Sequence, residues 1–540
     1  MTENPLLENS ILNFLNSLKV KNIEVHATLE EMAAFLSNTV GATREVLSIV
    51  FPKTEQEVVE IIHAANKYKI LLYPVSTGNN WGYGGQLPIK TRSVIVNLSK
   101  LKQIIEVNDD LGFVRLTPGV TQQMLHEYLV KHDLDFMVPT TGAGPHCSIL
   151  GNALERGYGI TPIADHFESI LSLKAILPNG EKYHSALVDF AGELVDNCYK
   201  WGIGPYLDGL FSQGNFGIVT EMTVALKRRP KKVEAFFFNL KDEGALLNFI
   251  PTLAKLRDEL GPTIGGVNLM NARRVLSMLE QEKASDALFT KDEIRALSKK
   301  HGVGEWNCVG ALYGTQAMVK NAKDIIKKEL KKTTKRILFF DKNKTSKINK
   351  LFNQFSCLNN LFPLLAVKVD RLNKLMDALA GQPSQVALPL VYWKCAHLMP
   401  ANSDKINPDQ DGAGLIWYSP LVPKKKDIVL SFIKMLESHC LKKNIEPLIT
   451  LTSLSSRCFD ATVPILFDKS DLTSKENALQ LYKNILKNGQ EIGIAPYRLG
   501  VNSMDSLTNL SCPSIDLAAQ IKLAIDPNGI ISPGRYVKIK

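Results

Sequence analysis

The residue types best suited to chemistry stand together in one short loop, Ser76-Thr77-Gly78-Asn79-Asn80-Trp81-Gly82-Tyr83-Gly84-Gly85. Glycine permits positive φ and lets backbone amides come close to a ligand, at an entropic cost. Consecutive exposed N–H groups form a concave site that suits an anion such as phosphate. A glycine-rich turn without a ligand explains the same composition, because such turns are common. The loop alone therefore leaves an anion site and a plain turn both open.

Two more glycine-rich stretches follow this loop, at 138–166 and 202–220. Three such loops within about 150 residues exceed what turns require, so we predict an extended ligand that lies along backbone amides. The first loop does not match Gly-x-Gly-x-x-Gly at the start of a helix, which disfavours a Rossmann nicotinamide site. It does not match Gly-x4-Gly-Lys-Ser/Thr either, which excludes a P-loop.

Strand and helix patterns surround the first loop and would hold it in place. Apolar residues at 46–51 predict a strand that stops at Pro52, and Thr54 is the expected N-cap of a helix that runs to Lys69. A second strand at 70–74 leads directly into the loop. This order indicates an α/β arrangement in which ligands bind at the loop ends.

The length and composition of the chain indicate an ordinary globular protein with more than one domain. The chain has 540 residues, more than the roughly 250–300 residues of a single hydrophobic core. It has no apolar run near the roughly 20 residues of a membrane span, and no secretory signal pattern. Its eight cysteines include no Cys-x-x-Cys pair, which argues against a zinc module and a disulfide scaffold and suits a reducing compartment. We therefore expect a cytoplasmic protein that does not bind a membrane.

The positive net charge of +10 is concentrated at 320–350, where twelve basic residues accompany three acidic ones. Apolar residues recur at helical spacing from Val319 to Leu330, so we interpret this stretch as an amphipathic helix with a solvated basic face. No nucleic-acid-binding motif accompanies the charge, and we expect no nucleic-acid partner.

Four motifs carry a family resemblance. They read STGNNWGYGG at 76–85, GNALERGYGITPIADH at 151–166, GIGPYLDGLFSQGNFGIVTEM at 202–222 and DPNGIISPGRY at 526–536. Together they closely resemble the flavin domain of the vanillyl-alcohol oxidase and p-cresol methylhydroxylase (PCMH) family. The resemblance implies an α+β fold, with a two-part PCMH-type FAD-binding domain and a cap domain that has a large antiparallel sheet flanked by helices.

The resemblance also divides the chain. We expect the FAD-binding domain at 1–228, the cap domain at 229–496, and a C-terminal segment at 497–540 that returns to the FAD-binding domain. The glycine-rich character ends at about 229, and the later patterns fit a cap. Within the cap we predict strands at 233–240, 388–393 and 414–419 and helices at 245–259 and 424–440.

FAD is the cofactor that the resemblance implies. Its pyrophosphate and ring are expected to lie against backbone N–H groups of the first two loops, and its adenosine half or ring edge against the third. The residues expected to bind FAD are Ser76, Thr77, Gly78, Asn79, Asn80, Thr141, Gly142, Ile149, Gly151, Asn152, Gly217, Ile218, Val219 and Arg535.

The attachment of the cofactor is expected to differ from that in many relatives. The family often tethers FAD to a cap-domain histidine near a Ser-Pro strand, and the corresponding stretch 412–420 contains no histidine. We therefore predict non-covalent FAD. An aryl-ether link through Tyr418 is the alternative.

The resemblance also implies a substrate site. In the resembled oxidases, two tyrosines and an arginine bind a phenolic oxygen as phenolate, and Tyr83, Tyr497 and Arg498 match them here. Two hydroxyl donors and a permanent cation stabilise an anion and lower the pKa of the phenol. Arg498 could instead pair with an acid of the protein or hold a substrate carboxylate.

Further residues are assigned to the reaction by the same resemblance. Asp165 aligns with an aspartate placed near flavin N5, where a carboxylate can act as a base. Tyr392 and Trp417 are expected to contact the substrate. Paired histidines of the family are absent near 466–471, so the pocket chemistry is expected to differ from vanillyl alcohol oxidation.

The leading hypothesis is an FAD-dependent oxidoreductase that takes hydride from the side chain of a para-substituted phenol. Water then adds to the resulting quinone methide, or a carboxylated side chain loses carbon dioxide. The alternatives are a flavin oxidase of a non-phenolic hydroxy acid or biosynthetic tailoring substrate, and a non-catalytic flavin-binding subunit. The expected partners are a small aromatic substrate and either O2 or an electron-acceptor protein, and the oligomer considered is a homodimer. No metal is expected.

Overall fold

The structure is a computed structural model that describes residues 5–280, 288–334, 336–347, 372–402 and 406–538. Within these ranges the chain forms mixed layers of helix and sheet. None of the described helices is both long enough and apolar enough to cross a membrane.

The first sheet holds the first glycine-rich loop at its edge. Its strands occur in the order β1-β2-β4-β3, and β2, β4 and β3 run parallel. A helix at Glu55–Tyr68 packs on it through buried residues from Val58 to Ala65, and the Thr54 hydroxyl accepts a hydrogen bond from the Glu57 N–H at 3.1 Å. This confirms the predicted N-cap and the predicted apolar face of this helix. The strands are β1 (Glu24–His26), β2 (Val46–Phe51), β3 (Leu71–Val75) and β4 (Ser93–Asn97).

The second sheet is antiparallel and has the order β5-β6-β10-β8-β9, with β7 and β11 paired beside it. Its strands are β5 (Ile104–Asn108), β6 (Phe113–Leu116), β7 (Phe136–Met137), β8 (Ile170–Ile176), β9 (Lys182–Tyr183), β10 (Ile218–Ala225) and β11 (Lys227–Arg228). The other α-helices of this part are Pro5–Val20, Leu29–Leu36, Gln122–Lys131, Ile149–Leu154, Ala186–Ala191 and Glu193–Asp196.

The C-terminal segment packs against both of these sheets. The Leu72 N–H donates to the Ile530 carbonyl at 2.7 Å, and the Ser532 N–H donates to the Leu72 carbonyl at 2.8 Å. The Asn215 amide donates to the Ser532 carbonyl at 3.1 Å, which joins the segment to the third glycine-rich loop. Its helices are Asp505–Thr508 and Pro513–Ile525.

The third sheet is a nine-stranded antiparallel one in the order β15-β12-β14-β13-β18-β19-β17-β20, with β16 paired to β19. All of its described strands fall within 232–496. They are β12 (Lys232–Leu240), β13 (Ile264–Asn271), β14 (Trp306–Gly314), β15 (Leu338–Asp341), β16 (Gly414–Tyr418), β17 (Pro420–Pro423), β18 (Thr450–Ser453), β19 (Cys458–Phe467) and β20 (Ala495–Pro496). The boundaries predicted at 228 and 496 stay a proposal.

Long helices cover the outer face of this sheet and bury most of its apolar side chains. Alternate strand residues point to them because successive side chains of a strand face opposite sides. Val319, Ala322, Ile326 and Leu330 are buried on the helix Gln316–Leu330, which has the predicted apolar face. This helix holds four of the twelve basic residues of 320–350 and ends at Leu330, and the chain then continues to strand β15. Residues 335 and 348–350 lie outside the described residues. The covering helices are Glu243–Leu260, Gln316–Leu330, Lys426–Lys442 and Leu472–Glu491, and the shorter helices Ala272–Leu279 and Lys291–His301 lie at the sheet end.

One prediction for this part of the chain is wrong. Residues Leu388–Tyr392 form a 3-10 helix and not a strand. Pro389 stands in its first turn, and proline has no N–H to donate to a sheet.

Candidate functional site

A cavity of about 2980 Å³ lies between the three glycine-rich loops and the inner face of the nine-stranded sheet. Most of the predicted site residues line it. Ile149 does not, because it is buried in the core of the second sheet with an exposed fraction of 4%. Those that do are Ser76, Thr77, Gly78, Asn79, Asn80, Tyr83, Thr141, Gly142, Gly151, Asn152, Gly217, Ile218, Val219, Tyr392, Trp417, Tyr497, Arg498 and Arg535.

The glycines of the first two loops allow close packing that a side chain would prevent. A Cβ at Gly151 would lie 2.1 Å from the Ser76 hydroxyl oxygen, so these loops touch at that point. The loops are also joined where the Ser148 N–H donates to the Thr77 hydroxyl at 3.1 Å. Gly82 has a φ of +76°, and a Cβ there would lie 2.2 Å from the Trp417 ring. The loop thus contacts the cap strand β16 directly.

The cavity fits an FAD molecule. Glycine-rich backbone lines it at three successive places, and the Arg535 guanidinium faces it from the C-terminal segment. The Asn215 side-chain oxygen is buried on the same wall without a donor among the described residues. A long cofactor with phosphates, a ribityl chain and a polar ring suits such a lining.

A cluster of tyrosines stands where the FAD-binding loops meet the cap. The Tyr83 hydroxyl shares a hydrogen bond of 2.9 Å with Ser419, and the rings of Tyr158 and Tyr497 lie 5.7 Å apart. Burial raises the pKa of Tyr497 well above its ordinary value, Tyr83 and Tyr158 add to the rise, and Arg498 offsets part of it. Burial and the nearby Asp460 carboxylate likewise raise the pKa of Tyr158. These two hydroxyls therefore stay protonated and can donate hydrogen bonds to a ligand oxygen.

Arg498 faces this cluster and is also paired with an acid. Its guanidinium carbon lies 4.3 Å from the centroid of the Tyr83 ring. Its Nε lies 3.1 Å from a carboxylate oxygen of Glu155, and its Nη2 donates to the Asn80 side-chain oxygen. Glu155 also pairs with Arg535. Two guanidinium groups thus share one carboxylate, which leaves a net positive charge beside the tyrosines.

Two of these residues were not singled out by sequence reasoning. Tyr158 occurs in the tripeptide Gly-Tyr-Gly, as Tyr83 does, and that repeat was the signal available. Glu155 stands three residues earlier in the same motif, and its pairing with Arg498 depends on the fold.

The structure does not bring Asp165 to the cavity. Its side chain is exposed, and one carboxylate oxygen accepts a hydrogen bond from the Glu168 N–H at 3.0 Å. The chain turns back at 158–165, where the Gly159 N–H donates to the Ala164 carbonyl at 2.9 Å, and this directs Asp165 to solvent. Asp460 on β19 is half-buried, and burial and the Asp165 charge raise its pKa to about 6.

The cap strand β16 separates two predicted residues. Trp417 lines the cavity, whereas Tyr418 is fully buried on the opposite face, where its ring meets Tyr482 edge to face at 6.1 Å. The alternation of side chains along a strand explains the split. This position disfavours an FAD link through Tyr418, and non-covalent FAD stays a prediction. Tyr392 lines the cavity, and its hydroxyl donates a hydrogen bond to Asp411 at 2.5 Å.

Comparisons with known proteins agree with this geometry. The family described as FAD binding domain matches residues 46–185. The chain is 29% identical over 524 residues to 1'-carboxy-chondrochloren decarboxylase of Chondromyces crocatus, which covers 95% of this chain and 94% of that protein. It is 25% identical over 496 residues to the 4-cresol dehydrogenase [hydroxylating] flavoprotein subunit of Pseudomonas putida, covering 89% and 86% of the two chains.

The fold has a close counterpart among solved structures. The structure of p-cresol methylhydroxylase with substrate bound matches with a TM-score of 0.85 and 22% identity, over 99% of this chain and 98% of that one. These matches confirm the predicted α+β fold, the resemblance of the motifs and FAD as the cofactor.

Proposed function

We propose that this chain, which is an FAD-dependent oxidoreductase of the p-cresol methylhydroxylase type, oxidises the para side chain of a phenol. The observation that carries the proposal is the group formed by Tyr83, Tyr497 and Arg498, which line one cavity. Tyr158 adds a third hydroxyl to it.

These residues would hold the substrate as a phenolate. A free phenol of the tyrosine type has a pKa of about 10. Hydrogen-bond donors and a nearby cation favour the charged form, and charge-assisted bonds are stronger than neutral ones. Because burial keeps the Tyr497 hydroxyl protonated, it donates a hydrogen bond to the substrate oxygen and does not compete for the negative charge.

The phenolate then weakens a C–H bond on the far side of the ring. Negative charge on the oxygen raises electron density at the para carbon, so hydride loss from the benzylic carbon becomes easier. Bound FAD supplies the hydride acceptor. Asn80, Glu155 and the Tyr83 ring hold the Arg498 guanidinium in place beside the phenolate oxygen.

A second candidate is oxidative decarboxylation, which is favoured by the similarity to a protein named a decarboxylase over 95% of this chain. In a substrate with a carboxylate on the carbon next to the benzylic one, hydride loss leaves a quinone methide. The bond to the carboxylate then breaks, carbon dioxide leaves, and the electron pair forms a C=C bond and restores the phenolate. Without that carboxylate, water adds to the quinone methide and gives an alcohol.

Arg498 is a poor anchor for a hydroxy acid. Glu155 and Asn80 already bind its Nε and Nη2, which leaves less of the guanidinium for a substrate carboxylate. This disfavours the oxidase of a non-phenolic hydroxy acid.

Anaerobic reduction of the bound flavin tests the proposal. FAD-loaded protein is mixed without oxygen with 4-ethylphenol, with its methyl ether 4-ethylanisole, or with a D-2-hydroxy acid. We expect 4-ethylphenol to bleach the flavin absorbance and the ether to leave it unchanged, because the ether cannot become a phenolate. Equal bleaching by the ether, or bleaching by the hydroxy acid alone, would refute the proposal. Reoxidation with O2 or with a cytochrome then identifies the electron acceptor, while the cytoplasmic location and the homodimer stay predictions.

A further inference from the structure

One arginine of the cavity wall lacks an acidic partner among the described residues. Arg274 belongs to the helix Ala272–Leu279 and lines the cavity, and its Nη1 is buried without a hydrogen-bond acceptor among the described residues. No ion pair joins its side chain to any of the described acidic residues. The preceding residue is different, because Arg273 pairs with Glu446 and donates to the Phe289 carbonyl at 3.1 Å.

Such an arrangement is costly for the free protein. Burial lowers the pKa of the Arg274 guanidinium to about 10, so the group still carries its charge at neutral pH. Arg274 is half-buried at this wall, and a charge withdrawn from water without a partner is rare in proteins, because the lost hydration is not replaced. An anionic ligand would supply the missing partner.

A second unpartnered polar group lies on the same wall. Asn268 and Met270 of β13 line the cavity, and the side-chain oxygen of Asn268 is buried without a donor among the described residues. Asn268 stands opposite Thr452 of β18. The Thr452 hydroxyl in turn lies close enough to Tyr158 to lower the pKa of that tyrosine.

The order of these residues along the wall indicates how a ligand would lie. Asn268 and Met270 are two residues apart on the strand, which corresponds to roughly 7 Å. The wall therefore runs from Tyr158, past Asn268 and Met270, to the helix that bears Arg274. A phenol held by the tyrosines would extend its para side chain along this wall toward a guanidinium.

We propose that Arg274 binds a carboxylate at the end of the para side chain of the substrate. The inference rests on the proposed phenol oxidation and specifies its substrate class. The planar fork of a guanidinium matches the two oxygens of a carboxylate. Of the other lysines and arginines of the lining, Arg498 and Arg535 already pair with Glu155. The rest are exposed, so water solvates their charges; they are Lys241, Lys331, Lys332, Arg336 and Lys374.

The test compares phenols that differ only in this charge. The ligands are 3-(4-hydroxyphenyl)propanoate, its homologues with one and two more methylene groups, and the methyl ester of each. The dissociation constant is measured from the change in flavin absorbance on binding, and the rate of anaerobic flavin reduction is measured with the same ligands. For at least one chain length, we expect the acid to bind more tightly than its ester.

Variants then assign the preference to Arg274. Arg274→Met keeps the length of the side chain without the charge, and we expect it to weaken acid binding by roughly 10- to 100-fold and leave ester binding unchanged. Arg274→Lys keeps the charge without the planar guanidinium and should retain part of the preference for the acid over its ester. The matched control is Arg295→Met, because Arg295 is exposed on the neighbouring helix. Thermal unfolding without ligand should show Arg274→Met to be at least as stable as the natural chain.

Two results would overturn the inference. One is equal weakening of acid and ester by Arg274→Met, and the other is a preference for acids that persists in that variant. If acids bind through Arg274 but no phenol reduces the flavin, the carboxylate site stands and the proposed oxidation fails. If Arg274→Met does not fold, the acid-to-ester ratio of Arg274→Lys decides the question, because an unchanged ratio refutes the carboxylate site.

Discussion

The sharpest prediction concerns the ionisation of a bound phenol when Tyr497 is replaced by phenylalanine. The substitution removes one hydroxyl of the cavity wall and leaves the ring, whose centroid lies 5.7 Å from that of Tyr158. A hydrogen bond to a charged acceptor is worth about 1.5–3 kcal/mol. One pKa unit corresponds to about 1.4 kcal/mol, so the pKa of the bound phenol should rise by about 1–2 units.

The assay uses a phenol that binds but cannot be oxidised. 4-Nitrophenol has no hydrogen on its para substituent, and its ionised form is coloured. Difference spectra of FAD-loaded protein with and without this ligand, recorded over a range of pH, give the pKa of the bound phenol. In the natural protein we expect that pKa to lie below the value in water, and in Tyr497→Phe to return toward it.

A second tyrosine provides the control. Tyr482 is buried in the cap core, and its hydroxyl donates to Ser503 at 3.1 Å. Tyr482→Phe removes the same atom without touching the cavity wall, so it should leave the pKa of the bound phenol unchanged. The reasoning fails if Tyr497→Phe has no effect on that pKa, or if Tyr482→Phe shifts it as much.

Three further predictions follow from other parts of the structure. Glu155→Gln leaves Arg498 and Arg535 without their carboxylate, and loss of one partner of a buried pair should lower the free energy of unfolding by about 3–5 kcal/mol, measured by denaturant titration. Burial raises the pKa of Asp409 from 3.8 to about 7, so between these pH values the native state binds a proton that the unfolded state has released. The free energy of unfolding should therefore fall as pH rises through this range. In Asp409→Asn the melting temperature should change less over the same range. Denaturation should release FAD, and the denatured chain should show no FAD-sized mass increment.

Local backbone chemistry made much of the fold predictable. The N-cap at Thr54 and the apolar face of the helix that it begins depend on neighbours within a few residues. The glycine-rich loops were recognisable for the same reason, since Gly78 and Gly82 have φ values of +79° and +76°, which other residues rarely adopt. The direction of a single side chain depends on the tertiary structure and could not be predicted in this way. Asp165 points to solvent and Tyr418 into the core, and neither direction is visible in the motif around it.

The sequence by itself determined the cofactor loops and the family of folds, because spacing and residue type are preserved in the linear chain. Only the tertiary structure decided which charged side chains form ion pairs. Glu155 reaches Arg498 and Arg535 only because the C-terminal segment returns to the first sheet. Within the described ranges Arg274 lacks an acidic partner because the helix after β13 places it on the wall of a cavity. The physical reason is that the cost of a buried charge depends on every group packed around it, and those groups come from distant parts of the chain.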